Sequence, residues 1–197
     1  MKRKALWALF GVVMLEGSAG AQQSSMPGGQ MAATAVIVLT QEFCTVEVKR
    51  GVWAFGGEVF QAGRLLCPAA EEAARNSFQR VIRMETAPKP EDAGGHLILI
   101  PRYVDMEATT TATLVGTVTQ IEKRKMALLV EWTATDPSGK ILWAQTVEGD
   151  ARKGTGVKNI SHRKLLENAT RDLVANSTEA MEKSQEIQQF VKTPAGK

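Results

Sequence analysis

Residues 130–149 read VEWTATDPSGKILWAQTVEG, and their pattern decides the fold. Over residues 126–135 side chains alternate, placing Leu128, Val130, Trp132 and Ala134 on one face, the two-residue period of a half-buried strand. Asp136-Pro137-Ser138-Gly139-Lys140 then carries the chemistry of a tight turn. Proline presets φ, glycine permits a left-handed residue, and the aspartate can cap the chain locally. Residues 141–149 return as an antiparallel partner, so the chain is built on a sheet with at least one meander.

Working back from this hairpin, the run Glu122-Lys123-Arg124-Lys125 reads as a turn, and residues 109–121, rich in threonine and valine, as a continuation of the sheet. HLILIPRYVDME (96–107) starts a strand in which Pro101 suggests an edge position or a bulge. Residues 86–95, TAPKPEDAGG, are a connecting loop. Before it, residues 68–83 have helical spacing: Ala70, Ala74, Phe78, Val81 and Ile82 form one stripe, with Glu71, Glu72, Arg75, Asn76, Gln79, Arg80 and Arg83 opposite. Pro68 would open that helix, and Glu71 and Arg75 form a favourable i,i+4 pair.

Nearer the N-terminus, residues 34–40 (TAVIVLT) fit a buried strand and residues 45–49 alternate. Glycines 51, 56, 57 and 63 suit a hairpin, bulges or an edge strand. On the other side of the opening hairpin, residues 161–191 carry a long, thin apolar stripe of Leu166, Ala169, Leu173, Ala180, Ile187 and Val191. That is a second long helix, polar enough beyond Ala175 for its end to project or fray. Each helix has a single face to bury. The expectation is an α+β fold: a mainly antiparallel sheet with two helices packed on one face, in the order β-β-α-β-β-β-β-α. Residues 34–191 form one domain, 22–33 (QQSSMPGGQMAA) a flexible leash and 192–197 a disordered tail.

Residues 1–21 read as a secretory signal peptide. Lys2, Arg3 and Lys4 precede the eleven apolar residues 5–15, and Ala19-Gly20-Ala21 offers a cleavage site before Gln22. The apolar stretch is about half of the ~20 residues a membrane span needs, which favours cleavage over retention as an anchor. The chain is therefore expected in the periplasm or outside the cell. It has 24 Lys and Arg against 21 Asp and Glu; without the leader these become 21 and 20, so a charge of +3 falls to +1. Such a balance gives no support to a general nucleic-acid-binding surface.

Cys44 and Cys67 are the only cysteines. Cys67 precedes Pro68 at the start of the expected helix, where a thiol can be activated, yet Glu71 and Glu72 oppose a thiolate there. In an oxidising compartment two cysteines favour a single bridge over a catalytic thiol or two free thiols. The two histidines, His96 and His162, lie far apart with no ligand spacing, so no metal or cofactor is expected. No Gly-x-Ser-x-Gly elbow occurs, and Gly154-Thr155 breaks the pattern of a phosphate loop before the last helix. Three sequons, at Asn159, Asn168 and Asn176, fall in or beside that helix and read as coincidence. No enzyme is expected.

Two surface features remain. Arg152, Lys153, Lys158, Arg163 and Lys164 cluster around the start of the last helix, where positive charge works against the helix dipole. They could meet an anionic partner such as lipid headgroups or an acidic protein, or pair with Glu148, Asp150 and Glu167. Trp53, Phe55, Phe60, Trp132 and Trp143 could mark a binding surface, but such aromatics more often fill a core.

Three stretches together resemble a known kind of protein: GEVFQAG leading into AAEEAARNSFQRVI, GHLILIPRY, and VEWTATDPSGKILWAQTVEG. They are similar to small bacterial envelope proteins of the YajG-type lipoprotein kind. More distantly they resemble the TolB amino-terminal domain, the curli-secretion channel subunit and the lipoprotein activators of penicillin-binding proteins. The resemblance covers about residues 34–185, and the lipidation cysteine of the lipoproteins is missing here. It implies a non-enzymatic protein that binds a partner in envelope assembly or transport. The alternative is a periplasmic carrier for a small lipid-like or anionic ligand held between sheet and helices. Neither reading names the partner or the oligomeric state.

Overall fold

In the computed structural model, residues 29–52, 56–115, 118–153 and 161–193 are described. The signal-peptide reading and most of the leash fall outside them. The chain is α+β. β1 (Met31–Val38) is followed by a short helix α1 (Gln41–Thr45) and a hairpin of β2 (Val48–Val52) and β3 (Gly56–Phe60). α2 (Gly63–Ser77) leads into β4 (Phe78–Met84). Then come β5 (Leu97–Val115), β6 (Val118–Thr135), β7 (Ile141–Lys153), α3 (His162–Lys183) and α4 (Gln185–Lys192).

The main sheet has the order β4-β1-β5-β6-β7, with β2-β3 as a separate two-stranded sheet. β1 pairs in parallel with both β4 and β5, whereas β5-β6 and β6-β7 are antiparallel. The sheet is therefore mixed: its long ladders are antiparallel, as expected, and its β4-β1-β5 side is parallel. The parallel half follows from one revision. Residues 78–84 form an edge strand and not the end of a helix, and α2 is the crossover that returns the chain to β1. Val81 and Ile82 continue the three- and four-residue spacing of Ala70, Ala74 and Phe78, but they are β-branched, and pairing with Ala35 and Val36 of β1 decides their state. α2 ends where the Ser77 hydroxyl donates to the Ala73 carbonyl and the Phe78 N–H to that of Ala74. It also begins five residues before Pro68, so the proline lies inside the helix.

Two further boundaries move. Residues 41–45, expected to lead into a strand, are a helical turn capped by Thr40, whose Oγ1 accepts from the Phe43 N–H at 3.2 Å. The second long helix breaks at Ser184, which caps α4 by accepting from the Ile187 N–H. β1 starts at Met31, three residues inside the expected leash.

The opening hairpin is as read. Gly139 takes φ +86°, and Asp136 Oδ1 accepts from the N–H of Ser138 at 2.8 Å and of Lys140 at 3.0 Å. The Ser138 hydroxyl, donating at 2.6 Å, is the main cause that holds the Asp136 carboxyl below its usual range; desolvation opposes it, and those two backbone bonds and the Lys140 charge add to the lowering.

α2 and α3 cover one face of the sheet. Ala35, Ile37, Leu97, Leu99, Leu128, Trp132, Leu66, Ala73, Leu165 and Leu173 are all buried in the core between them. On the opposite face the 85–96 connection lays Ala93 against Val36, Val38 and Ile98, a second, smaller cluster. Gly149 lets α3 press onto β7, because a side chain there would run into the Ala169 carbonyl and Leu173. The Trp132 indole N–H donates to Ser177 Oγ of α3 at 3.0 Å, satisfying a group that would otherwise be stranded in the core.

Candidate docking surface

The structure joins Cys44 of α1 to Cys67 of α2, 23 positions apart with Cα atoms 4.8 Å from each other. The bridge fastens the capped turn after β1 to the crossover helix, and Cys67 has no thiol to activate. Glu71, which had seemed relevant to that thiol, is an ion-pair hub. It accepts from Arg75 at 2.6 Å and from Arg83 of β4 at 3.3 Å. Among the described residues no group of three or more His, Cys, Asp or Glu could hold a metal, and no helix is long and apolar enough to cross a membrane.

The five cations named from the sequence divide. Arg152 pairs with Asp150 at 2.8 Å on its own strand. Arg163 and Lys164 share Glu167, at 3.3 and 3.4 Å, and the Lys164 hydrogen bond is the main cause lowering the Glu167 carboxyl. Lys153 stands at the last rung of β7, and Lys158 lies outside the described residues. Pairing with neighbouring acids is thus found for every one of them whose side chain is described. Of the aromatics, Trp132 and Phe60 are buried, Phe60 meeting His162 edge-on at 6.2 Å, and Trp143 packs partly against the core. Trp53 and Phe55 lie outside the described residues. The sequon at Asn176 is occupied structurally: its Nδ2 donates to the Glu148 carbonyl and to Asp172.

Sequence reasoning missed the longest feature of the molecule. Residues 122–125 are not a turn but part of β6, which pairs with β5 from the Val115–Val118 rung onward. β5 and β6 are 19 and 18 residues long, roughly 60 Å each at about 3.3 Å per residue. β1 pairs with β5 only at residues 97–99, and β7 pairs with β6 only as far as Arg124. From Thr111–Lys123 to Val115–Val118 the two strands therefore run as an arm with no third strand among the described residues. From Ile100 onward no strand among the described residues pairs with β5 on its β1 side. That edge carries Pro101 and a register shift at Val104, which is 46% exposed. Proline and bulges are how native edges resist uncontrolled pairing. A signal for this existed: Glu122–Lys125 has none of the Gly, Pro, Asn or Asp of a turn, while Gly116 sits between two β-branched runs.

The interior offers no room. The void between α2, α3 and β6, lined by Phe43, Leu66, Ala69, Trp132 and Ser177 among others, is too small to admit a water molecule. Open grooves of about 470 and 630 Å³ flank α4 where it lies on the start of β1.

No family model matches the chain, and no curated protein matches it by sequence. Solved structures do resemble it. The chain is similar to small bacterial lipoproteins, the kind named from its sequence. A DUF330 family protein from Xanthomonas campestris shares 8% identity at a TM-score of 0.48, over 84% of this chain and 90% of the other. A hypothetical protein from Chlamydia trachomatis shares 11% at 0.45, over 82% and 98%. A minor lipoprotein from Acinetobacter baumannii shares 8% at 0.34, over 77% and 96%. Nothing about sites or partners is carried over from proteins at this distance.

Proposed function

We propose that this chain is an exported, non-enzymatic envelope protein that works by docking a partner on its surface. The observation that supports the reading most is the contrast between a filled core beneath α2 and α3 and a β5 edge exposed at Val104. Between α2, α3 and the sheet the described residues leave only a void too small for a water molecule, which gives the carrier reading no support at that place. Among the described residues no strand pairs with β5 on the β1 side beyond Leu99, and Val104 is 46% exposed there. An extended partner segment can add to such an edge and be selected by the side chains on either side. The two cysteines closed as a bridge fit an oxidising compartment.

The test is a photo-crosslinking residue in place of Val104, with Lys89 as a control position, in cells producing the full chain. A discrete adduct from Val104 and none from Lys89 is expected. Adducts that are absent, or the same from both positions, would refute docking along this edge.

A further inference from the structure

β7 is the last strand of the main sheet, and its outer edge is closed at both ends and open between them. In an antiparallel ladder the N–H and C=O of one residue point to the same side. The Glu148 carbonyl accepts from Asn176 Nδ2 at 2.8 Å, and the Asp150 N–H donates to Asp172 at 2.9 Å. Both residues therefore turn their backbone groups away from β6, and two side chains of α3 stand where a neighbouring strand would be. At the other end Lys140 donates its N–H to Asp136 Oδ1 and accepts the Asp136 N–H, both at 3.0 Å. From Trp143 to Lys153 the pairing with β6 is regular, so Ala144 and Thr146 face outward like Glu148. Among the described residues no strand pairs with them on that side.

Residues 141–147, ILWAQTV, carry neither charge nor proline. Ala144, Gln145 and Thr146 are exposed, and Ile141, at 62%, is more exposed than Val59 or Val104. The outer strand at the far side of the sheet differs, since β4 exposes Arg80 and Arg83. Edges that stay single carry charges, prolines or bulges, and β7 has only the register shift beside Leu142. The run is also self-complementary. Set antiparallel about Gln145, two copies match Ala144 with Thr146 and Trp143 with Val147, uncharged against uncharged. Lys140 of each copy then comes within one rung of the other's Glu148, a diagonal that long side chains span. A different protein would need an uncharged strand flanked by opposite charges in this order; a second copy already has one.

We infer that β7 is a self-association edge, which joins the five-stranded sheets of two copies into one through residues 143–147. Such a contact uses the same patch on both chains and closes at two, so it does not propagate. It concerns a different edge from the one at Val104 and does not depend on docking there.

Sedimentation velocity of the purified full chain across concentration should show a reversible monomer–dimer equilibrium. Thr146→Pro removes an outward N–H and no bond within one copy, so it should weaken the dimer about tenfold and leave the melting temperature of the monomer unchanged. Lys140→Glu sets acid near acid and should weaken the dimer about threefold; adding Glu148→Lys should restore it. Gln145→Cys should form an intermolecular disulfide under mild oxidation, because residues meeting across the two-fold axis lie about 4.5 Å apart at Cα. Ser138→Cys should form none, since the two turns would stand about 40 Å apart at about 3.3 Å per residue. Cys44 and Cys67 are joined to each other and do not compete. Should Thr146→Pro fail to fold, this crosslinking pair still decides.

A monomer at every concentration up to about 100 μM would overturn the proposal. So would a folded Thr146→Pro that dimerises as before, a charge exchange that restores nothing, or equal crosslinking from positions 145 and 138. Capture of another envelope protein by Gln145→Cys in cells, with no link to a second copy, would assign the edge elsewhere and overturn it too. Any of these with the Val104 adduct intact removes this inference alone.

Discussion

The two ends of β6 are held by different forces. From Leu128 to Thr135 the strand lies between β5 and β7, buries Leu128, Val130, Trp132 and Ala134 under α2 and α3, and leaves through a turn organised by Asp136. From Val118 to Lys123 it pairs with β5 alone, and beyond Lys123 cations take the cross-strand positions. One end is specified by packing, the other by backbone pairing with like charges set together. The comparison separates the part of β6 whose register a buried face fixes from the part held by strand pairing among the described residues.

The largest effect should come from the packed end. Trp132→Ala removes a fully buried indole and the donor to Ser177, and should cost about 3–5 kcal/mol in denaturant unfolding. Breaking the Cys44–Cys67 bridge, by reduction or by paired substitution to serine, should cost about 3 kcal/mol, the chain-entropy value for a loop of this order. Calorimetry of oxidised and reduced protein reads it directly. On the arm, Thr119→Ala should stay within about 0.5 kcal/mol, because its rung has no third strand among the described residues. An arm substitution as costly as Trp132→Ala would erase the distinction.

The smallest effect is a pH dependence at the turn. The folded Asp136 carboxyl titrates below its unfolded value, so its contribution is complete above about pH 4 and is lost as pH falls through the lowered value. Asp136→Asn should flatten that part of the acid-unfolding curve; an unchanged slope would show the turn bonds to be passive.

Much of this was legible beforehand, and the two ends of β6 show why the rest was not. The 136–140 turn announces itself through Pro137 and Gly139, and the bridge through a count of two cysteines. Residues 78–84 misled because Phe78, Val81 and Ile82 satisfy helical spacing by accident, and only their partner β1 makes them a strand. The cation run at 123–125 looked like a solvated loop because charge usually marks one. Its place in a strand opposite Arg152 and Lys153 depends on a pairing across some 28 residues that no local pattern encodes.

The central claim is the one proposed above, that this protein works through its β5 edge and not through an interior site. Photo-crosslinking from Val104, read beside the same group placed at Val191 in the groove along α4, tests it most directly. A discrete adduct from Val104 and none from Val191 is the predicted result. An adduct from Val191 and none from Val104 would contradict it.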